Sequence, residues 1–149
     1  HSTTRAEDPY SISKWLGEEI GDAFARRNPQ MALASMRFNG MWDDQYFEQL
    51  RANPISDAWT RCQGFWTYVH IRDAARACVA AITNRNWLGH HRFFINAEDT
   101  MLAIPTLEAL ATVYPDVPLN TTMPEFTSPI STQYVTDIIG WKPEYSWRQ

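Results

Sequence analysis

The stretch that decides the fold runs from Asp8 to Glu18 and reads DPYSISKWLGE. Asp8 can cap a helix with its carboxylate, and Pro9 suits the first helical position, where a backbone N–H is not needed. The chain then continues without a helix breaker until Asn28-Pro29. The pattern therefore predicts a helix over 10–27 that begins sharply behind its cap.

One face of this helix carries an unusual set of residues. Tyr10, Lys14, Gly17 and Gly21 fall within a stripe about 60° wide when each residue turns the helix by about 100°. Glycine inside a helix costs about 1 kcal/mol relative to alanine, so two on one stripe indicate the close approach of a ligand or another backbone. The opposite side is apolar and predicts a packing face, which consists of Ile12, Leu16, Ile20 and Ala23.

Tyr10 and Lys14 are the pair on this stripe that can carry chemistry. A free phenol has a pKa near about 10, too high for ready proton exchange at neutral pH. A cation within about 4–6 Å favours the phenolate, and a phenol tuned in this way can exchange a proton with a carbonyl or an alcohol. A Tyr and a Lys four residues apart also occur by chance, so the spacing alone leaves a purely structural role open.

The rest of the chain alternates apolar strand patterns with helical patterns. The strand candidates are 31–38, 65–71 and 92–96, with a shorter one at 117–119. The helix candidates are 43–51, 73–83, 105–113 and 132–139, the last of them stopped by Gly140. This alternation predicts an α/β fold with parallel pairing in a single unit that covers 1–149.

Composition narrows the function classes. Of the 149 residues, 44% are hydrophobic and 20% are charged, which is typical of a globular protein. The net charge is −4 and the sequence has no Lys/Arg cluster, so nucleic acid and anionic membrane surfaces are not expected as partners. The apolar runs are too short to cross a bilayer. Cys62 and Cys78 favour two reduced thiols in a cytoplasmic protein, although the spacing leaves a disulfide between them open.

Several other polar residues have competing interpretations. Asp73 opens an alanine-rich segment and is predicted to be its N-cap, or with Arg72 to contact substrate. Arg37 ends a predicted buried strand and can either pair with a carboxylate or bind an anionic substrate group. His90 and His91 lack the spacing of metal ligands and are predicted to be solvated loop residues, so no metal site is expected. The sequence spacing supports no Ser-His-Asp arrangement.

The order of these segments carries a resemblance. The stretch 8–18 resembles the catalytic helix of the extended short-chain dehydrogenase/reductases, the NAD-dependent epimerase/dehydratase family. Further segments resemble that family in the same order, namely ASMRF at 34–38, YVHIRDAARA at 68–77, FFIN at 93–96 and IGWKP at 139–143.

The resemblance implies a function and a set of site residues. It implies an NAD(P)-dependent epimerase, dehydratase or dehydrogenase that acts on a sugar or a nucleotide sugar. Tyr10 is then the general acid/base, and Lys14 tunes the phenol and holds the nicotinamide ribose. The segment after the strand at 31–38 is expected to line the nicotinamide pocket with Phe38, Asn39 and Gly40. Arg37 and Arg72 are the candidates for substrate binding.

The sequence also departs from this family. Its six glycines, at 17, 21, 40, 64, 89 and 140, form no Gly-rich turn that could hold a pyrophosphate at a helix N-terminus. The resemblance therefore predicts the C-terminal half of a Rossmann-like enzyme whose Gly-rich βαβ half is absent. Such a chain is expected to bind NAD(P) weakly by itself, to lack activity alone and to form homo-oligomers. A non-catalytic binding or structural module derived from the same fold is the alternative.

Overall fold

The computed structural model describes residues 5–84, 86–119 and 122–149. The helices are α1 Pro9–Arg27, α2 Asp44–Ala52, α3 Ile71–Thr83, α4 Thr106–Val113 and α5 Gln133–Ile139. The strands are β1 Ala32–Phe38, β2 Gly40–Trp42, β3 Tyr68–His70 and β4 Gly89–Ile95, and a 3-10 turn covers Cys62–Gly64.

The four strands form two parallel pairs. β1 pairs with β4 in a register that runs from Ala32 opposite Gly89 to Phe38 opposite Ile95. β2 pairs with β3, with Gly40 opposite Tyr68. The predicted α/β fold with parallel pairing is confirmed. The sequence analysis missed β2 because three residues are too few to show a period.

The predicted start and end of α1 are confirmed. The Asp8 carboxylate accepts a hydrogen bond from the backbone N–H of Ser11 at 3.0 Å, as expected of an N-cap. The helix ends where the N–H of Asn28 donates to the carbonyl of Phe24, directly before Pro29. At the other end of the chain, Gly140 ends α5 with a φ of 72°, a left-handed conformation that glycine adopts without strain.

The predicted packing face of α1 is not buried within this chain. Leu16 and Ile20 are 47% and 57% exposed, and α1 has no buried residue. The helix instead turns Glu18, Gly21 and Asp22 toward the β1–β4 pair, because arginine and histidine side chains on those strands supply partners for the two carboxylates. Charge pairing therefore sets the orientation of this helix.

The predicted burial of β1 is wrong, because all of its residues are exposed or half-buried. Within the part of the chain that the structure describes, β1 pairs with β4 along one edge, and its other edge has no strand partner.

The strand predicted over 65–71 is shorter, and the one at 117–119 is not a strand in the structure. β3 begins at Tyr68 because Phe65 and Trp66 have φ values of 52° and 56°, in the left-handed region and outside strand geometry.

Asp73 is not the N-cap that the sequence pattern predicts. The helix begins two residues earlier, and the ring Nδ1 of His70 accepts a hydrogen bond from the N–H of Arg72. Asp73 is fully buried in the first turn of α3, where its Oδ2 accepts hydrogen bonds from the N–H groups of Glu144 and Tyr145, both at 2.9 Å. The carboxylate thus ties the C-terminal segment to α3.

Two hydrophobic clusters form the core. The larger one lies around Trp66, Tyr68, Leu102 and Trp147, and the second lies around Phe93 of β4. Cys62 is buried and Cys78 is exposed, and both are free thiols. None of the described helices is long and apolar enough to cross a membrane.

Candidate active site

An open groove of about 700 Å³ lies between the N-terminal half of α1 and the C-terminal end of β1. In open α/β folds, the carboxyl ends of parallel strands are where ligands bind. The groove is lined by Tyr10, Ser13, Lys14, Gly17, Glu18, Ser35, Met36, Arg37, Phe38 and Met41.

The structure brings Tyr10 and Lys14 together at this groove. The Nζ atom of Lys14 lies 5.0 Å from the centroid of the Tyr10 ring, and Tyr10 is 70% exposed. Among the residues that the structure describes, no carboxylate lies within ion-pair distance of Lys14. The phenol is therefore accessible, with a cation beside it that is not already paired.

Arg37 pairs with a carboxylate, one of its two predicted roles. Its guanidinium donates to both carboxylate oxygens of Glu18, at 2.7 and 2.6 Å. This pair, with a further contribution from Arg92, holds the pKa of Glu18 below its ordinary value. Since Glu18 already meets the charge of Arg37, a substrate anion would compete with that carboxylate.

Phe38, Asn39 and Gly40 lie at the carboxyl end of β1, as the resemblance predicts, and Phe38 lines the groove. The side-chain nitrogen Nδ2 of Asn39 is buried and has no hydrogen-bond partner among the described residues. Gly40 faces Trp42 so closely that an added Cβ would lie 2.7 Å from the indole ring. The cofactor-binding role of all three stays a prediction.

Arg72 lies elsewhere, in the first turn of α3. Its Nη2 atom donates to Asp44 at 2.7 Å, and its guanidinium lies over the Tyr145 ring, 5.6 Å from the centroid. The lining of the groove does not include it. Its role in substrate binding stays a prediction, without support from its position.

The sequence analysis was wrong about the two adjacent histidines. Both lie in β4, and the side chain of His90 is only 2% exposed. The Nε2 atom of His90 lies 2.7 Å from Ser35 Oγ, and its Nδ1 atom lies 2.8 Å from Asp22 Oδ1. The structure thus contains a Ser-His-Asp arrangement that sequence spacing did not reveal, because its three residues come from β1, β4 and α1.

Arg92 completes this charged layer. It donates to Glu18 at 2.8 Å and to Asp22 at 2.5 Å. The hydrogen bonds from Arg92 and from His90 hold the pKa of Asp22 below its ordinary value. Glu18 and Asp22 therefore both stay ionised at neutral pH.

No protein-family model and no curated protein matches this chain. Solved structures do match its fold. UDP-glucose 4-epimerase from Bifidobacterium longum, in complex with NAD+ and UDP, superimposes with a TM-score of 0.58 at 16% identity over 98% of this chain and 53% of that one. dTDP-glucose 4,6-dehydratase from Bacillus anthracis, in complex with NAD, superimposes with a TM-score of 0.56 at 14% identity over 100% of this chain and 51% of that one. UDP-glucuronic acid 4-epimerase from Bacillus cereus, in complex with UDP-glucuronic acid and NAD, superimposes with a TM-score of 0.53 at 17% identity over 99% of this chain and 53% of that one.

These matches place the chain among proteins with a Rossmann-like α/β fold. Within that class, it has the fold of about half of an extended short-chain dehydrogenase/reductase, which confirms the predicted fold. The chain spans about half the length of the solved chains that it matches. At 14–17% identity the likeness establishes the fold alone.

Proposed function

We propose that this chain carries the acid/base helix and the substrate side of an NAD(P)-dependent enzyme that epimerises, dehydrates or oxidises a sugar or a nucleotide sugar. The observation that supports the proposal most is the placement of Tyr10 and Lys14 together in one groove at the carboxyl end of β1. The solved structures of the same fold are named as sugar-nucleotide epimerases and a dehydratase, and all three contain NAD.

Tyr10 acts as the general acid/base in this proposal. Its phenolate takes a proton from a substrate alcohol as that carbon is oxidised, and the phenol formed in this way returns the proton to a carbonyl oxygen as it is reduced. The positive charge of Lys14 stabilises the phenolate form of Tyr10. NAD(P), when bound, supplies the hydride acceptor and donor.

The residues around the groove fit the nicotinamide half of that cofactor. Lys14 offers an unpaired ammonium among the described residues, and the Nδ2 of Asn39 is a buried donor without a partner. A Gly-rich helix N-terminus for the pyrophosphate does not occur in the sequence. We expect the 149 residues taken alone to bind NAD and NADP weakly, and calorimetric titration of both cofactors checks this.

The test of the function compares two single-atom changes in the purified full-length protein. Tyr10→Phe removes the proposed acid/base hydroxyl, and Tyr46→Phe removes a hydroxyl from a tyrosine that stacks on Trp42 outside the groove lining. Nicotinamide absorbance is followed with UDP-sugars and dTDP-sugars as substrates. We expect kcat to fall by roughly 10²–10⁴ for Tyr10→Phe and to stay unchanged for Tyr46→Phe.

Calorimetry of the same full-length protein separates the remaining outcomes. If it binds neither NAD nor NADP, the enzyme proposal fails and the non-catalytic module derived from this fold replaces it. If it binds cofactor but Tyr10→Phe is as active as the unmodified protein, the assignment of Tyr10 is wrong.

We also propose that the chain forms homo-oligomers through α1. Leu16, Ile20 and Phe24 are 47%, 57% and 54% exposed and lie on one side of the helix, an apolar face that a second copy can cover. Light scattering should show an oligomer that Ile20→Lys dissociates and that Val117→Lys, at an exposed position outside α1, leaves intact. A monomer in the unmodified protein contradicts the proposal.

A further inference from the structure

Ser35, which lines the groove, forms a continuous hydrogen-bonded chain with His90 and Asp22. Ser35 Oγ lies 2.7 Å from His90 Nε2, and His90 Nδ1 lies 2.8 Å from Asp22 Oδ1. A hydroxyl, an imidazole and a carboxylate linked through the two ring nitrogens in this order are the arrangement that activates a serine nucleophile.

The charge state of Asp22 determines which ring nitrogen of His90 carries the proton. The second oxygen, Oδ2, accepts a hydrogen bond from Arg92 at 2.5 Å, and the pKa of Asp22 is lowered by this bond and by the one to His90. An ionised carboxylate can only accept, so His90 carries its proton on Nδ1 and donates it to Asp22. The Nε2 lone pair is then free to accept the Ser35 hydroxyl proton.

The imidazole is buried beneath α1. The side chain of His90 is 2% exposed, and α1 passes over it at Gly21. A Cβ added at Gly21 would lie 2.7–3.0 Å from three atoms of the His90 ring. The absence of a side chain at this position is therefore what allows the helix to approach the ring.

Ser35 is at the same time part of the wall of the groove, where a ligand can bind. Ser35 is half-buried and lines the groove together with Lys14. Lys14 lines the same groove and has no ion-pair partner in the described part of the chain, so we assign its ammonium to the oxyanion of a bound ester.

We propose that Ser35 is the nucleophile of an acyl-transfer site that hydrolyses short-chain carboxylic esters. The hydroxyl oxygen attacks the ester carbonyl carbon while His90 Nε2 takes the hydroxyl proton. The tetrahedral intermediate collapses, the C–O bond to the alcohol breaks, and His90 returns the proton to the leaving alkoxide. A water molecule, deprotonated by His90, then attacks the acyl-serine and releases the carboxylic acid and free Ser35. No electron is transferred, and no cofactor is needed.

The experiment uses the purified full-length protein without any nicotinamide cofactor, so its outcome is independent of the hydride chemistry proposed above. Hydrolysis of p-nitrophenyl acetate is followed by p-nitrophenol release. We expect Ser35→Ala and His90→Gln to lower the rate by at least roughly 10²-fold. Ser56→Ala is the matched control, because Ser56 is exposed and does not belong to the lining of the groove. We expect this variant to keep the full rate.

A second measurement needs no variant and therefore does not depend on how well one folds. The unmodified protein is treated with a fluorophosphonate and the labelled residue is identified by mass spectrometry. Labelling at Ser35 supports the proposal. No labelling, labelling only at another residue, or a Ser35→Ala protein that hydrolyses the ester as fast as Ser56→Ala overturns it.

Discussion

The layer formed by α1 on the β1–β4 pair and the core around Trp66 are held together by different forces. α1 has no buried residue and attaches through carboxylates that pair with Arg37, His90 and Arg92. The core instead buries Trp66, Tyr68 and Leu102 completely. One region is thus organised by directed charge pairs and the other by the burial of apolar area.

These two kinds of contact contribute very differently to stability. Fully burying one large apolar side chain is worth about 1.5–3 kcal/mol, whereas a partly exposed ion pair contributes about 0–1 kcal/mol. Charge pairs are directional, however, and here they fix the orientation and the position of the helix that carries Tyr10 and Lys14. The candidate site therefore lies on the less strongly stabilised of the two regions, as binding and catalytic segments commonly do.

The largest expected effect compares two tryptophans. Trp66 is completely buried and its Nε1 donates to the carbonyl of Ala58 at 2.9 Å, whereas Trp15 on α1 is 41% exposed. We expect Trp66→Ala to lower the free energy of unfolding by about 3–5 kcal/mol, and Trp15→Ala to change it by at most about 0.5 kcal/mol. Urea unfolding followed by circular dichroism measures both, and equal effects would remove the distinction between the two regions.

The next effect tests the hydrogen bonds by which the buried Asp73 carboxylate holds the C-terminal segment on α3. In Asp73→Asn the neutral amide cannot replace a carboxylate that accepts from two backbone N–H groups and from Arg76. We expect a loss of about 1.5–3 kcal/mol in the free energy of unfolding. Asp116→Asn, at an exposed position, is the control and should be neutral. A neutral Asp73→Asn would show that the C-terminal segment is held by other contacts.

Replacement of two glycines of α1 by alanine should change the stability of the protein in opposite directions. Gly21→Ala places a methyl group 2.7 Å from the His90 ring, so we expect a destabilisation of about 1–3 kcal/mol. An added Cβ at Gly17 meets nothing within 4 Å, and Gly17→Ala should stabilise the helix by up to about 1 kcal/mol. The melting temperatures of the two variants decide this, and a shift in the same direction for both would contradict the docking of α1.

The smallest effect concerns pH. Hydrogen bonds from Arg37 and Arg92 hold the pKa values of Glu18 and Asp22 below their ordinary 4.5 and 3.8. A lowered pKa means that the stabilisation is present above the ordinary value and is lost as pH falls through the lower, folded-state value. We expect Glu18→Gln to cost at most about 1 kcal/mol at pH 7, and this cost should vanish as pH falls well below the ordinary Glu18 value of 4.5.

Exposed Glu48 provides the control for that measurement. The melting temperature of Glu48→Gln should differ from that of the unmodified protein by the same small amount at both pH values. A cost of Glu18→Gln that persists in acid would mean that packing, and not charge, holds α1.

Local signals in the sequence were sufficient to predict the described helices of the fold, but not all of its strands. The cap at Asp8, the breaker at Asn28-Pro29 and the glycine at 140 act within a few residues, and the structure places α1 and α5 where they indicate. The side of α1 that faces the strands was not predictable in this way. Its apolar residues suggested one side, whereas the partners that decide the orientation, Arg37 and Arg92, lie far along the chain.

The contacts of the candidate site were likewise predictable from the sequence only where they are local. Tyr10 and Lys14 are one helical turn apart, so their proximity follows from the sequence. The contacts among Asp22, Ser35 and His90 depend on the β1–β4 register, which pairs Leu33 with His90 and which no local pattern specifies. Asp73 was misassigned for a similar reason, because its partners at 144 and 145 lie about 70 residues further along the chain.

The one-sided pairing of β1 has a practical consequence for anyone who handles these 149 residues by themselves. A strand with a free row of backbone donors and acceptors can template the addition of identical strands from other molecules, which begins ordered aggregation. The stretch ALASMRF carries a single charge, that of Arg37, to oppose such stacking. Solubility at high concentration should therefore depend on this one arginine, and a second lysine or arginine introduced on the strand would act as a gatekeeper.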